Sequence, residues 1–185
     1  MAVTDVSICN LALTHLGAEE ITSLNESSRQ AVVCKTVYET VKLMVLRDHF
    51  WGFALARATL SPNGSIPPFG FRNTFDIPAT AILWKFVDLS YEAKQEGQKL
   101  LSDASSINII YVKSDIGEAN FESKFVNALS LRLAEVMCYR ITQNVSLVGV
   151  LNARYAEAIK EAKRANALVS TPDALVIDTF TNVRL

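Results

Sequence analysis

Three short apolar segments in the first third of the chain constrain its fold most. They are Ile-Cys-Asn-Leu-Ala-Leu-Thr-His-Leu-Gly at 8–17, Ile-Thr-Ser-Leu at 21–24 and His-Phe-Trp-Gly-Phe-Ala at 49–54. Thr4 can cap a helix that ends at Leu16, because Gly17 can adopt the left-handed conformation that stops a helix. We therefore predict a short helix, a connection, and a long helix followed by an aromatic cluster.

The second helix is predicted to begin at Ser27, which can form a capping box with Gln30. Apolar residues then recur at three- and four-residue steps, as in a helix with one buried face: Cys34, Val37, Tyr38, Val41, Met44 and Val45. Leu43 and Leu46 lie outside this stripe. The first two helices therefore need cover on more than one face, from another layer of the same chain or from a neighbouring molecule.

The composition changes between about residues 60 and 113. Four of the five prolines lie between Pro62 and Pro78, which is typical of turns. Segments 71–77, 81–89 and 107–112 are rich in aromatic and β-branched residues and predict strands, and 91–102 predicts a hairpin that turns at Glu96-Gly97. We expect one small antiparallel sheet inserted between helices.

The last third of the chain is predicted to be helical again. A helix over about 118–143 has an apolar face made of Phe125, Leu129, Leu133, Val136, Met137 and Ile141. Ser146 can cap a final helix whose seam of mostly small residues permits close packing: Leu151, Tyr155, Ala158, Ala162 and Ala165. The charged remainder of that helix is either a solvated face or a docking face.

An apolar segment follows the break at Ser170-Thr171-Pro172-Asp173, and chain ends are usually polar. This segment can fold back on its own domain or dock on another chain. The predicted fold is mainly α, of α+β class: a helical bundle with a small inserted antiparallel sheet and an extended C-terminal arm. We expect one domain over 1–185, helical over 1–59 and 114–168, with the β insertion at 60–113 and the arm at 169–185.

Composition limits the class of protein. The three cysteines (Cys9, Cys34 and Cys138) lie in apolar helical patterns, which indicates buried free thiols in a reducing compartment. A net charge of −1 argues against general nucleic-acid binding. A secretory signal would begin with a basic region and an apolar run, and Thr4 and Asp5 at this place argue against one. No apolar run approaches the roughly 20 residues that cross a bilayer. We expect a soluble protein made in a cytoplasm.

The sequence shows no pattern for catalysis, metal binding or cofactor binding. His15 and His49 are the only histidines, and Cys9 with His15 lacks the spacing of zinc ligands on one helix face. Cys34 has no neighbouring base, and the glycines do not cluster into a phosphate loop. Trp51 and Trp84 could stack on bases but have no basic flank, so we expect both in the core. No catalytic, metal or cofactor residue is predicted.

The order and spacing of the motifs resemble those of one known family. Besides the segments at 8–17, 21–24 and 49–57, they include Phe71-Arg72, Phe75-Asp76-Ile77-Pro78, Ile110-Tyr111-Val112, Phe125-Val126-Asn127-Ala128-Leu129, Leu133-Ala134 and Tyr155…Ala158…Ala162. The chain is similar to the head-to-tail adaptors of short-tailed bacteriophages, also called tail tubular protein A or portal adaptors. It departs from them at Phe50, where proline is frequent, and at Thr80, where an acidic residue is frequent.

The resemblance implies a structural virion component without enzymatic activity or cofactor. Such proteins form a ring, typically a dodecamer, between the portal and the tail nozzle or tube, and double-stranded DNA passes through it during ejection without specific binding. It also implies a place in the neck of the virion, host cytoplasm during assembly, and no membrane contact. By analogy, the residues expected to bind the portal or adjacent subunits are Arg154, Lys160, Arg164, Phe180, Arg184 and Leu185.

Two other functions stay open at this stage. The first is a small helical cell-wall hydrolase that uses paired carboxylates drawn from Glu19, Glu20 or Glu39. Such an enzyme needs two carboxyl groups about 5 to 10 Å apart in a cleft. The second is a helical scaffolding or regulatory module of non-viral origin.

Overall fold

The computed structural model describes residues 3–87 and 91–169. Within this part, four α-helices and two three-stranded antiparallel sheets make the fold α+β, as predicted. The helices are α1 (Asp5–Leu16), α2 (Arg29–Arg47), α3 (Ser123–Thr142) and α4 (Val145–Val169). The strands are β1 (Leu55–Leu60), β2 (Asn73–Asp76), β3 (Ala81–Phe86), β4 (Ala93–Glu96), β5 (Lys99–Ser102) and β6 (Ile107–Lys113). The two sheets have the orders β1-β6-β3 and β2-β5-β4.

The start of α1 is as predicted and that of α2 is not. Thr4 caps α1 by accepting from the Ser7 amide, and Gly17 ends the helix with a φ of 64°. The second cap is Ser28 rather than Ser27, and its hydroxyl accepts from the amide of Ala31 at 3.2 Å. The same hydroxyl donates to Glu26 Oε1 at 2.6 Å, so the preceding turn holds Ser28 in the capping position.

The β region begins earlier than predicted and forms two sheets rather than one. Residues Leu55–Leu60 were expected to lie almost entirely in the helical block, but they pair with β6 from Leu55↔Val112 to Leu60↔Ile107. This strand has little β-branched character, so its pairing with β6 outweighs its weak local preference. The predicted hairpin is confirmed: β4 and β5 turn through Gly97, whose φ is 62°.

The last two helices differ from the prediction at their starts. Residues Glu118–Asn120 form a single 3₁₀ turn and α3 begins at Ser123, because Phe121 is extended and packs on Phe125 with ring centres 4.9 Å apart. The cap of α4 is supplied by Asn144, which accepts from the Leu147 amide at 3.3 Å, and Ser146 lies inside the helix. The arm was predicted to begin at residue 169, but Val169 is still helical as the last residue of α4, and residues 170–185 lie outside the described residues.

Helix α3 lies at the centre of the helical layer and packs against α1, α2 and α4. The first sheet packs one face on this layer through Val112 and Leu83. Its other face joins a second, smaller core that includes Ile109 of β6 and Phe75 and Leu100 of the second sheet. Met44 and Val136 were predicted to lie on buried helix faces, but both are exposed. Ala165 was predicted to lie in the packed seam of α4, but it is only partly buried, and its neighbour Asn166 is buried instead.

Trp51 joins the helices to the sheet. Its ring is fully buried, and its indole N–H donates to the carbonyl of Val45 at 3.1 Å. Phe125 of α3 meets it edge to face with ring centres 5.0 Å apart, and Phe53 stacks on it at 6.1 Å. The predicted aromatic cluster after the second helix is therefore confirmed, and it fixes where α2 ends and where the chain enters β1.

Replacing Trp51 by alanine is expected to lower the free energy of unfolding by about 3–5 kcal/mol, because it empties a filled core position and removes the bond to Val45. Denaturant titration followed by circular dichroism measures this. Tyr139→Ala, at an exposed aromatic residue of α3, is the control and should change stability by no more than about 0.5 kcal/mol. Equal losses for both variants would contradict the central position of Trp51.

Candidate functional site

Three residues of the predicted partner-binding set lie on α4, within the part of the chain that the structure describes. Arg154, Lys160 and Arg164 are all exposed. Burial lowers the pKa of His15 in α1, and the charge of Arg154 lowers it further. Lys160 lines a groove together with Met44 and Arg47 of α2. Phe180, Arg184 and Leu185 lie outside the described residues.

We call the depression that contains Lys160 the α2–α4 groove. It has a volume of about 670 Å³ and is lined by Met44, Arg47, Asp48, Arg132, Asn152, Tyr155, Ala156, Ile159, Lys160 and Lys163. Four of these residues are basic and one is acidic. The sequence shows only Lys160 and Lys163 close together, because the other two basic residues come from α2 and α3. The full cluster could therefore not be recognised from the sequence.

Two of the charged residues in the α2–α4 groove, Asp48 and Arg132, already have partners. The Tyr155 hydroxyl donates to Asp48 Oδ2 at 3.1 Å, and burial together with Asp48 raises the pKa of Tyr155 well above its usual value. The Arg132 guanidinium lies 5.3 Å from the Tyr155 ring centre and pairs with Glu135 at 2.5 Å. Among the described residues, no ion pair involves Arg47, Lys160 or Lys163. The groove therefore presents a positive surface.

A second depression continues from the first and is here called the α2–β3 cleft. It has a volume of about 760 Å³ and is lined by Thr40, Leu43, Met44, Arg47, Ala79, Ala81, Ile82, Leu83, Trp84, Gln95 and Gln98. Met44 and Arg47 border both depressions. The cleft was not predicted, because it needs β3 beside α2 and the sequence does not show that contact.

The opposite end of α2 contains a smaller apolar site, the α2–α3 groove. Its volume is about 410 Å³, and it is lined by Arg29, Val32, Val33, Tyr139, Arg140 and Gln143. Val32 and Tyr139 are exposed, and the Arg29 guanidinium donates to the carbonyl of Arg140, which ties α2 to α3 at this point. The groove thus presents the apolar side chains of Val32 and Tyr139 beside two arginines, Arg29 and Arg140.

The loop between β1 and β2 exposes apolar side chains of its own. Ile66 and Phe69 have 79% and 85% of their surface accessible to solvent. Both lie between Pro62 and Pro78, in the segment predicted to form turns. Contiguous exposed apolar surface marks interaction sites, and these two side chains are three residues apart on one loop. We call residues 61–72 the apolar loop.

Glu39, one of the carboxylates considered for hydrolysis, lies in an ion-pair cluster. Lys42 Nζ is 2.7 Å from Glu39 Oε1 and 3.2 Å from Glu118 Oε1, and Tyr38 donates to Glu118 at 3.3 Å. Burial raises the pKa of Glu118, but its own backbone amide, Lys42 and Tyr38 outweigh this and leave the pKa below its usual value. An ionised Glu118 suits an ion pair rather than a general acid. Glu19 and Glu20 are exposed in the α1–α2 connection.

The cysteines and histidines occupy structural positions. All three cysteines have free thiols and are buried, and their burial was predicted. The sulfur atom of Cys34 lies 3.5 Å from that of Met137. A hydrogen bond to Cys34, together with burial, raises the pKa of the Cys9 thiol. His49 lies 3.0 Å from the side-chain nitrogen of Asn166. Within residues 3–87 and 91–169, no three histidine, cysteine or acidic side chains group together as metal ligands.

Comparison of the sequence with protein-family models and with curated proteins gives no match. Among the helices that the structure describes, none is both long enough and apolar enough to cross a bilayer. The site is therefore defined by geometry alone: three depressions around α2 and one apolar loop.

Glu118→Gln is expected to lower the free energy of unfolding at pH 7 by about 1–3 kcal/mol, because it removes a charged partner of Lys42. A carboxyl whose pKa falls on folding stabilises the native state above its unfolded pKa of about 4.3, and this contribution disappears as the pH falls through the folded pKa. The difference between wild type and variant should therefore shrink below about pH 4. Urea titrations at pH 7 and pH 3 measure it.

Glu157→Gln, at an exposed glutamate of α4, is the matched control and should not differ from wild type. A Glu118→Gln difference that persists unchanged at pH 3 would show that the cluster does not stabilise the fold through the charge of Glu118.

Proposed function

We propose that this chain is a structural subunit of the virion of a short-tailed bacteriophage, and that its copies form a ring between the portal and the tail nozzle or tube. The order of motifs that resembles head-to-tail adaptors supports this assignment. The packing of α1, α2 and α4 around α3 fits a helical bundle, and residues 170–185 are proposed to form its extended arm.

Two unlike apolar surfaces on one chain are the observation that supports this function best. A closed ring of identical subunits uses a heterologous contact, in which one patch of each copy meets a different patch of the next. The apolar loop exposes Ile66 and Phe69, and the α2–α3 groove exposes Val32 and Tyr139. We propose that the apolar loop of one copy enters the α2–α3 groove of its neighbour.

Charge supports a second contact, with the portal. The α2–α4 groove presents Arg47, Lys160 and Lys163, and Arg164 follows on the same helix. We propose that this basic side of α4, with Arg154 and the arm residues Phe180, Arg184 and Leu185, meets the portal or an adjacent subunit. A net charge of −1 is compatible with DNA that passes through the ring, because strong phosphate contacts would slow its movement.

Phe69→Asp is expected to weaken ring formation on the cognate portal by a factor of about 10 or more, because it places a charge at the centre of an apolar contact. Its stability should change by no more than about 0.5 kcal/mol, since the side chain is exposed in the free subunit. Electron microscopy of portal particles mixed with the variant counts the rings. Tyr139→Asp, in the α2–α3 groove, should have the same effect.

The control for both variants is Tyr91→Asp, which also replaces an exposed aromatic residue by a charge but lies on none of the proposed contact surfaces. Normal rings with Tyr91→Asp and none with Phe69→Asp support the loop-in-groove contact. Normal rings with both Phe69→Asp and Tyr139→Asp would overturn it.

The arm is tested separately with a Phe180→Ala, Arg184→Ala double variant. We expect its affinity for portal rings to fall by about tenfold or more, since it loses an aromatic and a guanidinium anchor. Surface-immobilised portal and soluble subunit give this affinity. Unchanged binding by the double variant would remove the arm from the portal contact and leave the proposed ring contact untouched.

A further inference from the structure

The α2–α4 groove combines apolar surface with basic side chains that form no ion pair in the described part of the chain. Arg47, Lys160 and Lys163 are these basic residues. Met44 and Ile159 line the same groove and make part of it apolar. A groove that is both basic and apolar fits an acidic segment of a protein better than a nucleic-acid backbone, whose phosphates supply charge alone.

The connection between α1 and α2 presents the opposite charge. Glu19 and Glu20 are exposed, and neither takes part in an ion pair with another described residue. They directly precede Ile21, whose amide donates to the Asn10 side chain of α1, and the same side chain donates to the Ile21 carbonyl, both at 2.9 Å. These two hydrogen bonds fix the connection to α1, so the acidic pair has a defined position beside that helix.

Contacts of α3 place α1 and the α2–α4 groove on opposite sides of that helix. The Ser130 hydroxyl of α3 lies 3.5 Å from His15 Nε2 of α1, whereas Arg132 of α3 lines the groove. Side chains two residues apart on an α-helix point about 160° apart around its axis. The acidic connection, which is fixed to α1, and the basic groove therefore lie on opposite sides of α3.

The α2–α3 groove lies on the same side of α3 as the α2–α4 groove. Tyr139 lines the α2–α3 groove and follows Arg132 by about two helical turns, so the two side chains point in nearly the same direction. A neighbouring copy whose apolar loop enters the α2–α3 groove is therefore placed to cover the α2–α4 groove as well.

We propose that Glu19 and Glu20 of one copy enter the α2–α4 groove of the next copy and pair there with Arg47, Lys160 and Lys163. The pairing rests on the proposed ring of identical subunits, and it adds an electrostatic part to the contact made by the apolar loop. Unlike surfaces on opposite sides of α3 let each copy bind a different neighbour with each side, as a heterologous contact requires. Complementary charges also fix the register of such a contact and speed its formation. The groove is thereby assigned to an adjacent subunit rather than to the portal.

Zero-length cross-linking of the full chain tests this contact in the absence of a portal. A water-soluble carbodiimide activates a carboxylate and leaves as a urea when a lysine amine in contact with that carboxylate forms the amide. The sample is an equal mixture of unlabelled and ¹⁵N-labelled chains. We expect amide links from Glu19 or Glu20 to Lys160 or Lys163 that join a labelled chain to an unlabelled one, identified by mass spectrometry of the linked peptides.

Three results of the cross-linking would overturn the pairing: no link between these residues, links only within one chain, or links from the two glutamates to other lysines of a second chain. Rings that nevertheless form on the portal would leave the proposed function intact. A chain that makes the expected links but binds no portal would lose the proposed function and keep this contact.

Charge reversal gives a second readout. Glu19→Lys with Glu20→Lys in one variant, and Lys160→Glu with Lys163→Glu in another, should each weaken self-association by about tenfold or more in sedimentation velocity at low salt. An equal mixture of the two variants should regain most of this loss, because each reversed surface meets its complement on the other variant. A misfolded variant could not regain it.

The matched control combines Lys94→Glu with Lys99→Glu, which changes the net charge by the same amount as the groove variant. Both lysines are exposed, on β4 and β5, and neither lines a groove described above. Self-association of this control should equal that of the wild type. Equal losses for the control and the groove variant, or no recovery in the mixture, would overturn the pairing.

Discussion

The fully buried ring of Trp51 connects the helical layer to the first sheet. Its indole closes the end of α2 through the carbonyl of Val45 and meets Phe125 at the start of α3. The next residue, Gly52, donates to Asn166 near the end of α4, and a Cβ at position 52 would lie only 3.2 Å from that oxygen. One turn of chain therefore sets the positions of three helices and of the strand that follows.

Residues with strong local signals were predicted well. Gly17 stops α1 because few other residues adopt its backbone conformation, and Trp51 is buried because its size and apolar surroundings leave little alternative. β1 was missed because its residues favour a strand only through pairing with β6. Of the basic residues in the α2–α4 groove, Lys160 was predicted from the sequence but Arg47 and Arg132 were not. The sequence does not show them together, because the groove is formed by three helices.

The depressions around α2 explain why its apolar residues extend beyond one face. Some of the apolar residues outside the main buried face of α2 still cover the core, and Leu46 is one of them, since it is fully buried. The rest borders solvent, with Val32 at one end of the helix and Met44 at the other. These surfaces combine apolar side chains such as Val32 and Met44 with basic ones such as Lys160. Surfaces of that kind suit contacts between proteins, and a ring subunit needs several of them at once.

We propose that copies of this chain close into a ring on a portal, and the number of copies bound to each portal shows whether they do. Mass photometry or cryo-electron microscopy of portal particles mixed with an excess of the full chain gives that number. We expect each portal to bind a closed ring, typically a dodecamer, in which every subunit contacts two neighbours. A chain that stays monomeric and unbound in the presence of its cognate portal would contradict it.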